Sequence, residues 1–323
     1  MKIQLYSANS SKKILDLFEK TFSRKLTNEF WNWRCDAFGN SIRVVALEDN
    51  QPIGHISGEV MPMKFDNIEE KALFLMTMMI HPNFQGKGIS QKVLEFIYNE
   101  AKNQNFKFAY GFSNEKAAQV HFKKTPMQNI GKIIEQKKQI SDHNFIDTGN
   151  NLVIEEIFEF DTKIDQIWES NKNKYRCIVP RTSTYLSWRF KNYPQKMYEN
   201  YPLTNYFYYI ITKDNIPLTY FILKKFGNDK GHLVDYFGLL NDEIFEKILN
   251  FSLTFCLKSN LTEFSFWTPF IIQKNFSHIF QKYKFEKHIS NTYFGITILD
   301  QNMNNLLTEK NNWFFTMSDS DVF

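Results

Sequence analysis

Between Met78 and Ser90 the chain reads Met-Met-Ile-His-Pro-Asn-Phe-Gln-Gly-Lys-Gly-Ile-Ser, an apolar stretch that empties into a loop carrying two glycines. A helical pattern follows over residues 91–104, with Val93, Leu94, Ile97 and Ala101 at helical spacing. A strand, a glycine loop and a helix N-terminus in that order bring backbone N–H groups together on one point, which is a place for an anion. Gly86 and Gly88 let the backbone come close to a phosphate, Lys87 adds positive charge, and Ser90 is expected to cap the helix. The loop is therefore expected to hold a pyrophosphate. It lacks the Gly-x-x-x-x-Gly-Lys-Ser/Thr of a P-loop and the Gly-x-Gly-x-x-Gly of a dinucleotide site.

The elements that must position this loop occur twice. Phe30-Trp31-Asn32-Trp33-Arg34 is matched by Tyr185-Leu186-Ser187-Trp188-Arg189, each an aromatic residue followed by Trp-Arg. Each then leads to a hairpin turned at Asp-Asn-x-Pro, through Asp49-Asn50-Gln51-Pro52 and Asp214-Asn215-Ile216-Pro217. Asn tolerates left-handed dihedrals there, and Pro starts the returning strand without needing a donor. Next come a strand, a long helix, a strand and a shorter helix. In the first half these span residues 72–80, 91–104, 108–111 and 115–124; in the second, 232–238, 242–258, 263–267 and 271–283. Ile244, Ile248, Phe251 and Phe255 repeat the helical period. The turn after the second-half strand, Gly238-Leu239-Leu240-Asn241-Asp242, has one glycine, no basic residue and an acid that would repel a pyrophosphate, so one such ligand per chain is expected. The fold class that follows is α+β, in two tandem domains over residues 1–145 and 146–323, with a polar linker over 141–151.

The loop resembles the acyl-CoA signature of the GNAT acyltransferase superfamily, a strand followed by Gln/Arg-x-x-Gly-x-Gly/Ala opening a helix. Gln85-Gly86-Lys87-Gly88-Ile89-Ser90 matches in order, with Ser90 where the family usually has Gly or Ala. Phe108-Ala109-Tyr110-Gly111-Phe112-Ser113-Asn114, followed by Ala117 and Ala118, is similar to the family's later strand and Asn-x-x-Ala helix. The resemblance implies two GNAT-like domains, each a mixed, mostly antiparallel twisted sheet flanked by helices. It also implies acetyl-CoA or another acyl-CoA held by main-chain groups of Met78, Met79 and Ile80, by the loop Gln85, Gly86, Lys87, Gly88, Ile89 and Ser90, and by Asn114 near the thioester. The tandem arrangement resembles N-myristoyltransferases; Fem-type aminoacyl transferases use the same duplication with aminoacyl-tRNA. The Trp-Arg motifs and the ending Asn312 to Asp321 also resemble bacterial GNAT-like proteins associated with surface polysaccharide synthesis, which implies an amino-sugar or sugar-nucleotide acceptor.

Acyl transfer to an amine calls for a base, an oxyanion donor and an acid for the thiolate. The resemblance places a thiolate-protonating Tyr where this chain has His121 or Phe122; the other reading of His121 is a solvent-facing histidine. Glu59 is expected either as a base lining the cleft or as an outward partner of a lysine. His55, Ser57 and Glu59 alternate onto one face of a strand, so His55 either joins Glu59 in the cleft or both are solvated. Thr77 is either a donor to substrate or simply a strand former. His81 is read as structural. The two Trp-Arg pairs are read as each tying down carbonyls or a carboxylate, with an anionic acceptor as the alternative. Trp313, Phe314 and Phe315 are too apolar to dangle, so the tail is expected to dock and carry Asp319 and Asp321 to a fixed place. By analogy with the terminal-carboxylate base of N-myristoyltransferases, it would reach the acceptor.

Composition sets the outer bounds. The 323 residues, 43% hydrophobic and with 33 Phe and 15 Tyr, suffice for two filled cores. A net charge of +4 is too small for a dedicated nucleic-acid binder. Cys35, Cys177 and Cys256 form no CxxC pair, which disfavours a disulfide framework and a metal site and fits a reducing compartment. No apolar run approaches the roughly 20 residues of a spanning helix, so a cytoplasmic protein without membrane insertion is expected. The sum of these readings is an acyl-CoA-dependent N-acyltransferase acting on a small polar amine. The rivals are a non-catalytic CoA- or partner-binding protein and an aminoacyl-tRNA-dependent transferase.

Overall fold

The computed structural model describes residues 1–6, 11–140 and 151–321, which form an α+β structure. Residues 141–150 of the expected linker and the terminal carboxylate of Phe323 lie outside the described residues. The chain divides into two compact units that interleave in sequence, where a single cut near residue 145 was expected. One comprises residues 1–132, 196–201 and 291–310, the other residues 133–195, 202–290 and 311–323.

The first unit contains β1 (Lys2–Leu5), α1 (Ser11–Phe22), α2 (Asn28–Arg34), β2 (Ile42–Glu48), β3 (Gln51–Phe65), β4 (Ile68–Ile80), α3 (Ile89–Asn103), β5 (Phe108–Asn114) and α4 (Glu115–Lys124). Its sheet runs β1-β2-β3-β4-β5 and is closed by residues 292–298, which pair antiparallel with β5. Every neighbouring pair is antiparallel except β4 and β5. Val93, Leu94, Ile97 and Ala101, at the spacing read from the sequence, are wholly buried against Val44, Ala46, Ile56 and Leu73. Burying each larger member of such a set contributes roughly 1.5–3 kcal/mol. His55 precedes Ile56 and so points to the opposite face, where it meets Trp31 of α2 with ring centroids 6.0 Å apart.

The second unit repeats the order. Strand β6 (Gln128–Gln139) enters it at residue 133, followed by β7 (Leu152–Ile157), α5 (Thr162–Asn171), β8 (Cys177–Ile178), α6 (Ser183–Leu186), β9 (Asn205–Lys213), β10 (Ile216–Phe226), β11 (Lys230–Gly238), α7 (Asp242–Lys258), β12 (Glu263–Thr268) and α8 (Phe270–Lys282). The sheet runs β7-β9-β10-β11-β12 and is closed by residues 134–139 of β6, with β11 and β12 again the parallel pair. The chain continues through β13 (Glu286–Ile298), whose later residues close the first sheet, and α9 (Asn304–Thr308) to β14 (Trp313–Phe314), which pairs with β8. Each sheet thus takes its last strand from the other half of the sequence.

Both hairpins use the turn that the sequence foretold. Glu48 pairs with Gln51 and Lys213 with Ile216, leaving Asp49-Asn50 and Asp214-Asn215 as two-residue loops. All four residues have positive φ, from 48° to 63°. This primed geometry follows the right-handed twist of the strands it joins. No helix among the described residues is long and apolar enough to cross a membrane.

Candidate functional site

The parallel ladder between β4 and β5 is short. It joins Leu73 to Ala109 and Phe74 to Tyr110 and then ends, while β4 runs on to Ile80 and β5 to Asn114. Past that point β4 also bulges: Ser57 faces Met76 and His55 faces Met79, so three steps on β4 match two on β3. Thr77 sits in the bulge at φ +53°, a left-handed conformation that a β-branched residue rarely adopts. It is therefore not a simple strand former; the bulge re-aims the strand end.

The loop beyond β4 is tied from below. His81 donates its N–H to Ile53 O at 2.8 Å, its Nδ1 accepts from the N–H of Asn83, and Gln85 Nε2 donates to Ile80 O at 3.2 Å. Ile89 is buried, and a Cβ on Gly54 would lie 2.9 Å from its side chain, so the bare backbone of Gly54 lets the helix start settle on β3. Above, the loop is open. Gly86 and Gly88 have φ +77° and +75°, and no atom lies within 4 Å of where a Cβ would stand on either. Gly88, rather than Ser90, is the N-cap of α3; it offers no side-chain bond, and the first turn carries no acid. Ser90 lies inside that turn. The first-turn N–H groups, which have no carbonyl within the helix to bind, thus face a space that a phosphate can fill. Lys87 Nζ stands 4.8 Å from the Phe84 ring.

At the far side of the parting, Asn114 caps α4 by accepting from the N–H of Ala117 at 3.0 Å. His121 is buried, not solvent-facing. Its Nδ1 lies 2.8 Å from Ser113 Oγ and its Nε2 3.4 Å from Met78 Sδ, so it bridges the ends of β5 and β4. Burial pushes its pKa down to about 4, leaving the ring neutral at neutral pH. Sulfur is a weak acceptor, so the tautomer with its proton on Nε2 and the Ser113 hydroxyl donating to Nδ1 satisfies both contacts. Phe122 instead packs against Tyr293, and a Cβ on Gly295 would strike its ring. Ser113 was not singled out by sequence reasoning; its place immediately before the capping Asn114 was the available signal.

Glu59 follows neither of its expected readings. It is 3% exposed, ion-paired to Arg43 at 3.1 Å, and accepts from the hydroxyls of Ser41 and Ser57 and from the N–H of Asp36. His55 is wholly buried rather than solvated, and burial followed by the nearby Arg43 charge lowers its pKa to about 3. The shared face read from alternation is real, but it is an interior under α2. A separate cleft of about 390 Å³ opens beside His81 and Phe84, lined by Lys13, Lys20, Asp16 and Glu48; neither loop glycine lines it.

The Trp-Arg pairs differ. Arg189 donates Nε to Ser318 O at 2.8 Å, tying down carbonyls of the tail. Arg34 lies 5.0 Å from the Phe74 ring and 3.2 Å from Met76 Sδ. The tail docks: Trp313, Phe314, Phe315 and Met317 are buried, and Asp319 binds Arg181 through both oxygens, so this aspartate is a structural anchor. Among the described residues no group of His, Cys, Asp and Glu could hold a metal ion.

Residues 11–124 match the model of the acetyltransferase (GNAT) family. No curated protein matches the chain. Among solved structures, a probable N-acyltransferase from Enterococcus faecalis superposes with a TM-score of 0.71 at 14% identity, covering 93% of this chain and 73% of that one. A GCN5-related N-acetyltransferase from Anabaena variabilis gives 0.67 at 12%, covering 92% and 72%. The N-myristoyltransferase of Saccharomyces cerevisiae, solved with myristoyl-CoA, gives 0.56 at 11%, covering 91% and 81%. At these identities the likeness is one of fold, and it extends over both units.

Proposed function

We propose, from the match of residues 11–124 to the GNAT acetyltransferase family model, that the chain is an acyl-CoA-dependent N-acyltransferase that transfers an acetyl or related short acyl group to a small polar amine, an amino sugar or sugar nucleotide being the preferred class, in the cytoplasm. The observation that carries this reading is the open cradle of Gly86 and Gly88 at an uncapped helix start, set where β4 and β5 part.

The cradle fits a pyrophosphate on three counts: the glycine faces are clear, the first-turn N–H groups point into the space, and no acid in that turn opposes an anion. In this reading the backbone from Gln85 to Ser90 holds the phosphates, main-chain groups of Met78 to Ile80 line the pantetheine arm, and Asn114 stands near its end. Bound acyl-CoA supplies the activated acyl group as a thioester. His121 Nε2–H, which lies against Met78 Sδ, would be the donor to the cofactor sulfur, a task for a neutral ring, and Ser113 would keep the tautomer. Thr77 sets the direction of the strand end through its bulge. Glu59 and His55 belong to the support of β3, since the oxygens of the first are taken and the second is sealed in.

Calorimetric titration with CoA, acetyl-CoA and longer acyl-CoAs, followed by thiol release with an amine panel, tests the reading. Saturable one-site binding, weakened at least a hundredfold by Gly88→Glu, together with acceptor-dependent thiol release, is expected. Binding untouched by Gly88→Glu would remove the cofactor assignment. Binding without turnover on any amine would favour a CoA-binding protein.

A further inference from the structure

A row of polar side chains crosses the sheet of the second unit. Lys224 on β10 stands directly opposite Tyr206 on β9 and His232 on β11, and His232 in turn stands opposite Ser265 on β12. Residues directly opposite share a face. The neighbouring Lys225 reaches the rings of Phe207 and Phe255, the latter on α7, so Lys224 points to the sheet face away from α7.

Lys224 is 3% exposed. Its ammonium sits between two rings, 5.5 Å from Tyr206 and 5.4 Å from Phe226. Among the described residues no carboxylate pairs with it: Glu263 and Glu135 on nearby strands bind Lys230 and Lys137. The Tyr206 hydroxyl is buried beside the Arg189 guanidinium, while His232 Nδ1 lies 3.0 Å from Ser265 Oγ. Among the described residues of this unit the buried carboxylates are Asp235 and Asp319, and both engage Arg181. Neither is paired with Lys224.

A buried amine without a counter-ion gives up its proton readily, and an anion brought beside it restores the charge. We propose that Lys224 and Tyr206, flanked by His232, form a binding site in the second unit for a single carboxylate of a small molecule. A single amine matches one carboxylate rather than a phosphate dianion. Burial, and then the charge of Arg189, lower the Lys224 pKa to about 7, so a carboxylate that binds at pH 8 must draw a proton onto the amine.

The experiment titrates the full chain at pH 8 with acetate, L-alanine and inorganic phosphate at matched ionic strength, by ligand-observed NMR and by calorimetry in buffers of different ionisation enthalpy. Saturable binding of a carboxylate probe with proton uptake is expected, weakened at least tenfold in Lys224→Met, restored in Lys224→Arg and weakened severalfold in Tyr206→Phe. Acetyl-CoA affinity, measured in the same samples, should stay unchanged and reports that each variant is folded. No saturable carboxylate binding, equal affinity in Lys224→Met, or a preference for phosphate would overturn the site.

Discussion

The turn from β4 into α3 and the turn from β11 into α7 occupy the same place in two units of the same topology, yet they end differently. Both strands bulge just past a short parallel ladder, at Thr77 in one and at Val234 in the other. After β4 the chain makes a long loop with two open glycines, and α3 starts at Gly88 with no side-chain cap. After β11 it turns at once. Asn241 caps α7 by accepting from Ile244 N–H at 2.9 Å, and Asp242 and Glu243 fill the first turn. Gly238 is glycine for the opposite reason to Gly88: a Cβ there would lie 2.4 Å from Leu218 O. The tail completes the closure, with the Phe314 ring 5.8 Å from that of Tyr236, Thr316 donating to Asp235 at 2.7 Å and Arg181 joining Asp235 to Asp319. The difference teaches that topology alone does not make an anion site. A helix start is a site only when the chain leaves its N–H groups unanswered.

The strongest way to break the comparison is at the anchor of the closed side. Arg181→Met leaves two buried carboxylates without their cation and is expected to lower stability by about 3–5 kcal/mol, read by chemical denaturation, while acetyl-CoA affinity of the folded fraction is unchanged. A loss below about 1 kcal/mol, the scale of a surface ion pair, would mean that the tail is not what holds this turn shut.

Acid should act on both units through buried neutral histidines. His55, His121 and His232 titrate at about 3, 4 and 3 when folded, and near 6.5 when unfolded. Between those values the unfolded chain binds more protons, so the stability these groups contribute is present above pH 6.5 and is lost as pH falls toward 4. The slope is up to about 1.4 kcal/mol per pH unit for each histidine. Denaturation midpoints at pH 7, 5.5 and 4.5 measure it. His121→Gln should make the profile shallower and slow turnover with little change in acyl-CoA affinity; an unaltered profile would show that His121 is not sealed as described.

The smallest effect sharpens the contrast most directly. Exchanging the caps, Asn241→Ala should cost about 1 kcal/mol of stability and leave acyl-CoA binding alone. Gly88→Asn, a residue that tolerates the left-handed turn, should leave stability nearly unchanged yet weaken acyl-CoA binding by filling the cradle. Equal affinity in Gly88→Asn and the parent chain would show that the phosphates sit elsewhere.

Much of the site was legible in the residues before any coordinates. The glycine loop, the Asp-Asn turns and the helix faces each depend on neighbours within a few positions, and each stands where the spacing put it, whereas the helix start is capped by Gly88 and not by Ser90. The roles of single side chains were not legible. Alternation placed His55, Ser57 and Glu59 on one face, but whether that face met solvent, a cleft or an interior depended on Arg43, Ser41 and Trp31 arriving from other elements. His121 could be either a surface or a buried group until β4 and β5 were seen to end beside it, and Lys224 carried no local mark at all.

What the sequence determined by itself is therefore the set of short-range devices: turns fixed by left-handed Asn and Gly, helices by their period, and a loop with two glycines before a helix start. Only the tertiary structure decided which strand closes which sheet, with residues 292–298 completing β5 and residues 134–139 completing β12. It likewise decided which buried charges balance. The physical reason is range. Backbone dihedrals and first-turn hydrogen bonds are settled among adjacent residues, whereas burial, and with it the protonation and usefulness of a charged group, depends on partners brought together from more than a hundred positions away, as Arg181 and Asp319 are.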